Sequence, residues 1–302
     1  MGYLGSYRSL WETGELEKRQ SSAENILKSC ILCGHNCQVN RLSGETGICK
    51  ADDTLKISSW GPHFGEEPPL VGKYGSGTVF FTGCNLECVF CQNWNISQMG
   101  AGHEISQTKL AKFMMSLQKS GCHNINLVTP THYVPQIIGA LVEACEAGLN
   151  LPLVYNCGGY ESLKTLEILD GIIDIYMPDV KYSDPELAFR YSRAKDYPAV
   201  VKSALKEMHR QVGDLIIDKN GIARRGLLVR HLVLPGRLGG TKEITEFIAD
   251  EISRDTYINI MAQYRPEYRG REYPPLDRRI TQEEYKEAVS MTRKAGLYRL
   301  AR

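Results

Sequence analysis

From Gly77 onward the chain alternates short apolar runs with stretches whose apolar residues recur at helical spacing. The runs predict strands at 78–81, 124–128, 151–156, 172–177, 227–234 and 257–261. Between them, Leu110, Phe113, Met114 and Leu117 fall at i, i+3, i+4 and i+7 behind Ser106, which predicts a helix with Ser106 as its N-cap. Val134, Ile137, Ile138, Leu141, Val142 and Cys145 carry the same spacing over three turns, and shorter apolar faces follow each later strand, beginning at Leu163, Val201, Ile244 and Tyr285. A strand followed by a helix, repeated, is the pattern of βα units on a largely parallel sheet. Periodicity leaves two architectures open, a doubly wound sheet and an incomplete (β/α) barrel. No Gly-x-Gly-x-x-Gly follows the first strand.

The first quarter reads differently. Residues 1–28 are polar with weak apolar patterning and predict a helical lead-in. Residues 29–75 are rich in Gly, Pro and Asp and hold one strand-like run, 55–60. A stretch that short on periodic apolar residues needs a staple. The expected organisation is therefore an N-terminal lead-in and cysteine-rich metal-binding extension at 1–75 and a core domain at 76–302. Within the core domain, Asp218-Lys219-Asn220-Gly221 is a turn signal before the fifth strand.

Composition narrows the function. The 36 Lys plus Arg against 35 Asp plus Glu give a formal net charge of +1, so nothing indicates nucleic acid or an anionic membrane as partner. No apolar run approaches the roughly 20 residues of a membrane span. The N-terminal residues lack the apolar core of a signal peptide, and a reducing cytoplasm is the expected location. Ten cysteines in that compartment ask for a metal or a reaction before disulfides.

Cys84, Cys88 and Cys91, spaced C-x3-C-x2-C, follow the first core strand directly. Three thiolates on one loop can grip an iron–sulfur cube by three corners and leave the fourth iron open to a ligand. A zinc knuckle completed by His63 or His103 is the other use of such a trio. Phe90 offers a flat apolar face beside the last cysteine. Cys30, Cys33, Cys37 and Cys49 supply four more thiolates, a count that suits either a second 4Fe-4S cluster or zinc, with His35 able to replace one of them. Cys145 reads as core, and Cys157, at a strand end beside Gly158 and Gly159, is a candidate catalytic hydrogen donor.

The Cys84, Cys88, Cys91 spacing with Phe90 resembles the radical S-adenosylmethionine (SAM) superfamily, and within it a branch related to pyruvate formate-lyase activating enzyme. The resemblance covers about residues 55–300. It implies a partial (β/α)6 TIM-like barrel, an α/β fold, with a 4Fe-4S cluster that binds and reductively cleaves SAM. The radical so formed would abstract hydrogen, either from a glycine of a partner glycyl-radical enzyme or from a small metabolite or RNA. A low-potential donor such as flavodoxin or ferredoxin would supply the electron. A metal-binding or electron-transfer module without turnover is the alternative of another class.

Carried over position by position, Asn93 matches the Asn after the cluster loop and is expected near the nucleoside. Asp179 and Lys181 match the Asp-x-Lys ending the fourth strand, where they would meet the methionyl group or ribose. Arg230 matches the cofactor-facing fifth strand, and Asn156 the ribose or substrate position ending the third. One departure stands out. Where the superfamily carries Gly-Gly-Glu after its second strand, this chain reads Val128-Thr129-Pro130-Thr131-His132, so Thr129, Thr131, His132 or backbone carbonyls are expected to take the place of that motif.

Overall fold

The computed structural model describes residues 4–301; residues 1–3 of the expected lead-in and Arg302 lie outside the described residues. The chain opens with α1 (Tyr7–Glu12) and α2 (Glu15–Ile26), then runs with a single 3-10 turn to β1 (Lys56–His63), α3 (Pro68–Val71), β2 (Ser76–Phe81), α4 (Trp94–Ser97) and β3 (His103–Glu104). The βα series follows as α5 (Gln107–Lys119), β4 (Ile125–Val128), α6 (Val134–Glu146), β5 (Leu153–Cys157), α7 (Leu163–Leu169) and β6 (Ile175–Pro178). It ends with α8 (Pro185–Ser192), α9 (Tyr197–Val212), β7 (Ile216–Ile217), β8 (Ala223–Leu232), α10 (Thr241–Glu251), β9 (Tyr257–Met261) and α11 (Gln282–Lys294).

Strands β2, β4, β5, β6, β8 and β9 pair in parallel in that order. The order never reverses, so there is no switch point of the doubly wound kind, and right-handed crossovers put the helices on one face. Among the described residues no pairing returns β9 to β2, which leaves a partial (β/α)6 barrel open along one side. The expected barrel, and not the doubly wound sheet, is the architecture found.

Strand side chains alternate between two faces. The outer set, including Val79, Leu127, Tyr155, Val229 and Ile258, packs under the helices in the main core. The inner set is small: Val154, Ile175, Met177 and Leu228 meet Leu70 of α3. Above that floor, at the ends of β6, β8 and β9, the inward positions are Asp179, Arg230 and Asn259, which is what positions the site.

All six expected parallel strands are present, with shifted ends; the fifth, for instance, starts at Ala223 and stops at Leu232. The run at 55–60 extends to His63 as β1, which pairs antiparallel with β2. The expected domain boundary after residue 75 thus falls between two paired strands. Residues 218–222 make the turn joining β7 to β8, as the Asp-Lys-Asn-Gly signal indicates. Ser106 caps α5 by accepting the Lys109 N–H. The two-residue strands β3 and β7 have no periodicity to read, because they exist only through their pairing partners.

Candidate active site at the open end of the barrel

The loop after β2 carries Cys84, Cys88 and Cys91 to the C-terminal edge of the sheet. Gly83 makes the turn at φ +88°, and a Cβ there would sit 2.7 Å from the Cys49 carbonyl, so only glycine lets the two segments meet. Each sulfur has a hydrogen-bonding neighbour. The Leu86 N–H donates to Cys84 Sγ at 3.4 Å, the Ser192 hydroxyl donates to Cys88 Sγ at 3.0 Å, and Cys91 Sγ lies 3.2 Å from Ser97 Oγ. Burial pushes the Cys84 thiol well up. It also carries Cys88 to about 11, against the pull of the Lys181 ammonium and the Ser192 hydroxyl. Thiols so desolvated keep their protons until a metal displaces them. The set of three sulfurs with N–H and O–H donors and a cation close by fits an iron–sulfur cluster. The two histidines of the zinc alternative do not join it. His63 packs edge-on against Phe80 and His103 is exposed on β3.

Inside the barrel mouth the cofactor candidates form one network. Lys181 Nζ lies 2.5 Å from Asp179 Oδ2, and Arg230 Nε donates to Asp179 Oδ1 at 2.8 Å. Arg230 also donates to Asn156 Oδ1 at 2.6 Å and reaches Glu66 Oε2 at 3.4 Å. Burial pushes the Asp179 carboxyl up, but Arg230 and Lys181 outweigh it and leave it at about 2. Glu66 is raised by burial, with Arg230 opposing. Beside them Asn259 donates to Glu67 Oε1 at 2.8 Å. Three carboxylates, Glu66, Glu67 and Asp179, therefore face two cations, Lys181 and Arg230. Among the described residues, Glu67 Oε2 and both amide atoms of Asn126 are buried without a partner. An interior with one carboxylate in excess and unused acceptors suits a net-cationic ligand rich in donors, which is the character of SAM, with its sulfonium, ammonium and single carboxylate.

The remaining predicted residues divide. Phe90 is buried, its ring 5.7 Å from that of Tyr264. Asn93 is exposed at the start of α4. Thr129 sits at the rim of β4 with φ +58°, its N–H bonded to the Asn156 carbonyl. Thr131 and His132 face elsewhere, which narrows the replacement for Gly-Gly-Glu. The Thr131 hydroxyl donates to Glu161 at 2.9 Å, and buried His132 is tied to the Thr82 carbonyl at 2.8 Å. Cys157 is set apart from the barrel mouth. Asn156 points inward to Arg230, so its neighbour Cys157 points outward with Tyr155 into the main core, against Glu161. Cys30, Cys33, Cys37 and Cys49 gather on the outside of the cluster loop.

The sequence reading did not single out Glu66, Glu67, Asn259 or Ser192 as site residues. Glu66 and Glu67 precede Pro68-Pro69 in an aperiodic segment, and Ser192 meets Cys88 across 104 positions. A charged pair ahead of a proline pair in an otherwise apolar surrounding was the one available signal.

The family match falls on the region that carries this geometry. The Radical SAM superfamily family model matches residues 78–217, the stretch from β2 to β7 that contains the cysteine loop and the Asp179–Lys181 pair. "Uncharacterized protein MJ0674" of Methanocaldococcus jannaschii is 32% identical over 292 residues, covering 93% of this chain and 79% of that protein. "Uncharacterized protein MJ0808" of the same organism is 23% identical over 269 residues, covering 82% and 73%. Among solved structures, one described as TYW1 with a lysine-pyruvate adduct bound matches with a TM-score of 0.43 at 11% identity, over 72% of this chain and 73% of that one. No helix among the described residues is long and apolar enough to cross a membrane. With a thiolate trio at the mouth of a partial barrel and a family match over that region, the chain belongs to the radical SAM superfamily.

Proposed function

We propose that this radical SAM enzyme abstracts hydrogen from a backbone glycine of a partner protein, in the manner of an activating enzyme. Its 4Fe-4S cluster, when bound, supplies the electron that cleaves SAM to methionine and a 5'-deoxyadenosyl radical. Cys84, Cys88 and Cys91 hold that cluster. Lys181 and Arg230 offer cations to the methionyl carboxylate, and Glu66, Glu67 and Asp179 offer acceptors to the ammonium and ribose hydroxyls. Asn156 and Asp179 fix the direction of the Arg230 guanidinium. Phe90 and Tyr264 keep water from the loop on its apolar side.

The observation that carries this reading is the juxtaposition of the Cys84 loop with the Lys181–Asp179–Arg230 chain, close enough for the Lys181 ammonium to oppose the upward shift that burial gives Cys84 and Cys88. A macromolecular substrate is supported by an open cavity of about 500 Å³ beside the loop, lined by Gln92, Gln263, Tyr264, Arg265 and Arg279. A protruding segment can reach it from solvent, and Gln92 and Gln263 match peptide groups. A cytoplasmic flavodoxin or ferredoxin is the electron donor this chemistry asks for.

The test is anaerobic incubation of reduced, reconstituted enzyme with SAM. 5'-Deoxyadenosine should form with wild type and not with Cys84→Ala. Mixing with a glycyl-radical partner should then give an electron paramagnetic resonance doublet in that partner. Cleavage without any doublet would redirect the proposal to a small metabolite or RNA, and no cleavage by enzyme with an intact cluster would end it.

A further inference from the structure

The four N-terminal cysteines stand outside the barrel mouth, and the chemistry proposed for that mouth does not use them. Their surroundings are those of metal-bound thiolates. The backbone N–H groups of His35, Val39 and Ala51 are directed at the sulfurs of Cys33, Cys37 and Cys49, each two residues beyond its cysteine. Leu86 does the same for Cys84 in the cluster loop. Gly47 presses its backbone on Cys37, where a Cβ would fall 2.7 Å from the sulfur, and so brings the Cys49 turn against the Cys37 turn. Asn36 and Gln38, on either side of Cys37, and Lys50, after Cys49, all hold positive φ, a strained backbone that persists where something over-determines it.

A second observation comes from charge. Arg41 is completely buried, and its guanidinium meets only carbonyls, those of Asp52 and His132. Among the described residues no carboxylate pairs with it. A buried cation without a counter-charge is strongly unfavourable. The Asp52 carbonyl it bonds lies three residues beyond Cys49, which sets the guanidinium beside that end of the cysteine segment. Four neutral thiols would leave Arg41 uncompensated. Four thiolates around a divalent ion or a dicationic cluster carry a net negative charge and would balance it.

We propose that Cys30, Cys33, Cys37 and Cys49 bind a second, thiophilic metal centre whose negative charge balances Arg41 and which fastens the N-terminal segment to the loop bearing Cys84. The fastening contacts are in place. Gly83 lies on the Cys49 carbonyl, and His35 Nε2 is 2.8 Å from the carbonyl of Asn85, so both sequence neighbours of Cys84 are held by this segment. A bridge between Cys33 and Glu161 anchors the other side to the segment between β5 and α7. Binding of metal here is independent of the radical SAM reading; its effect on the Cys84 loop rests on that reading.

Metal analysis of full-length protein, prepared anaerobically, tests the site. Cys30→Ser and Cys49→Ser should each lose either about one zinc or about four irons relative to wild type, which also identifies the metal, and should keep the iron held by the Cys84 loop. Cys84→Ala should show the reverse; if it does not, the radical SAM reading fails and the N-terminal centre stands. Unchanged zinc and iron in both N-terminal variants would overturn the proposal. Because those variants can unfold, Gly47→Ala is the second probe. Its added methyl should speed metal release to a chelator several-fold with circular dichroism unchanged, and a wild-type release rate would count against the site. Altered g-values of the reduced Cys84-loop cluster in Cys49→Ser support the fastening, and an unaltered spectrum removes it.

Discussion

Arg230 and His231 are neighbours on β8, and Asn156 and Cys157 are neighbours on β5, yet within each pair one side chain serves the barrel mouth and the other serves the core. The inward members, Arg230 and Asn156, are bonded to each other and to Asp179. The outward members are closed off. His231 donates from Nδ1 to the Val180 carbonyl at 2.7 Å and accepts the Thr241 hydroxyl at Nε2, 2.9 Å away. Cys157 sits against Glu161, whose carboxyl burial raises to about 7 although Tyr155 and Thr131 donate to it. The inner face keeps its charges, paired but with acceptors left over. The outer face is kept neutral and filled. Alternation of a strand therefore sorts reactive from structural residues one position apart, and the difference can be tested from either side.

The largest effect should come from the inner face. Arg230→Ala leaves Asp179 and Glu66 buried without their cation and should lower unfolding free energy by about 3–5 kcal/mol, measured by urea denaturation. A loss under 1 kcal/mol would mean that water already screens the network.

On the outer face, burial lowers the His231 pKa from 6.5 to about 4. A folded pKa below the unfolded one gives stability that is present above pH 6.5 and lost as pH falls toward 4, worth about 3 kcal/mol in full. Thermal unfolding across that range should show the slope, and His231→Gln should flatten it.

A smaller effect is expected at β5. Cys157→Ala should cost roughly 2 kcal/mol by stripping a donor from Glu161 while SAM cleavage continues; Asn156→Ala should weaken SAM binding. Loss of cleavage in Cys157→Ala with binding intact would restore a chemical role to that thiol. Smallest of all, Ser192→Ala removes one hydrogen bond from Cys88, about 1 kcal/mol of stability, and should shift the cluster's midpoint potential to more negative values, read by redox titration.

Much of the inner face was legible beforehand. Cys84, Cys88 and Cys91 were singled out by their spacing and Arg230 by its match to the fifth strand; a buried Arg is costly unless paired, and Arg230 meets Asp179. The direction of Cys157 was not legible, because alternation assigns no face to a residue expected just beyond a strand end. The sequence expectation ended the third strand at Asn156, whereas β5 includes Cys157. Nor could spacing reveal that Thr131 and His132 turn away from the rim, since the chain enters a 3-10 turn there and buries both.

By itself, the order of residues determined the βα series, the parallel sheet and the thiolate trio, because each follows from local periodicity or from ligands close together along the chain. Periodicity left the strand order open and the cysteine spacing pointed to a partial barrel only by resemblance; tertiary structure has the order unreversed and the barrel open beside β9. It also decided that Glu66 and Glu67 face Arg230 and Asn259, that Ser192 serves Cys88, and that Arg41 lies buried beside Cys49. These are contacts between segments far apart in the chain, and their partners are chosen by packing and charge balance in the folded interior, which no local pattern encodes.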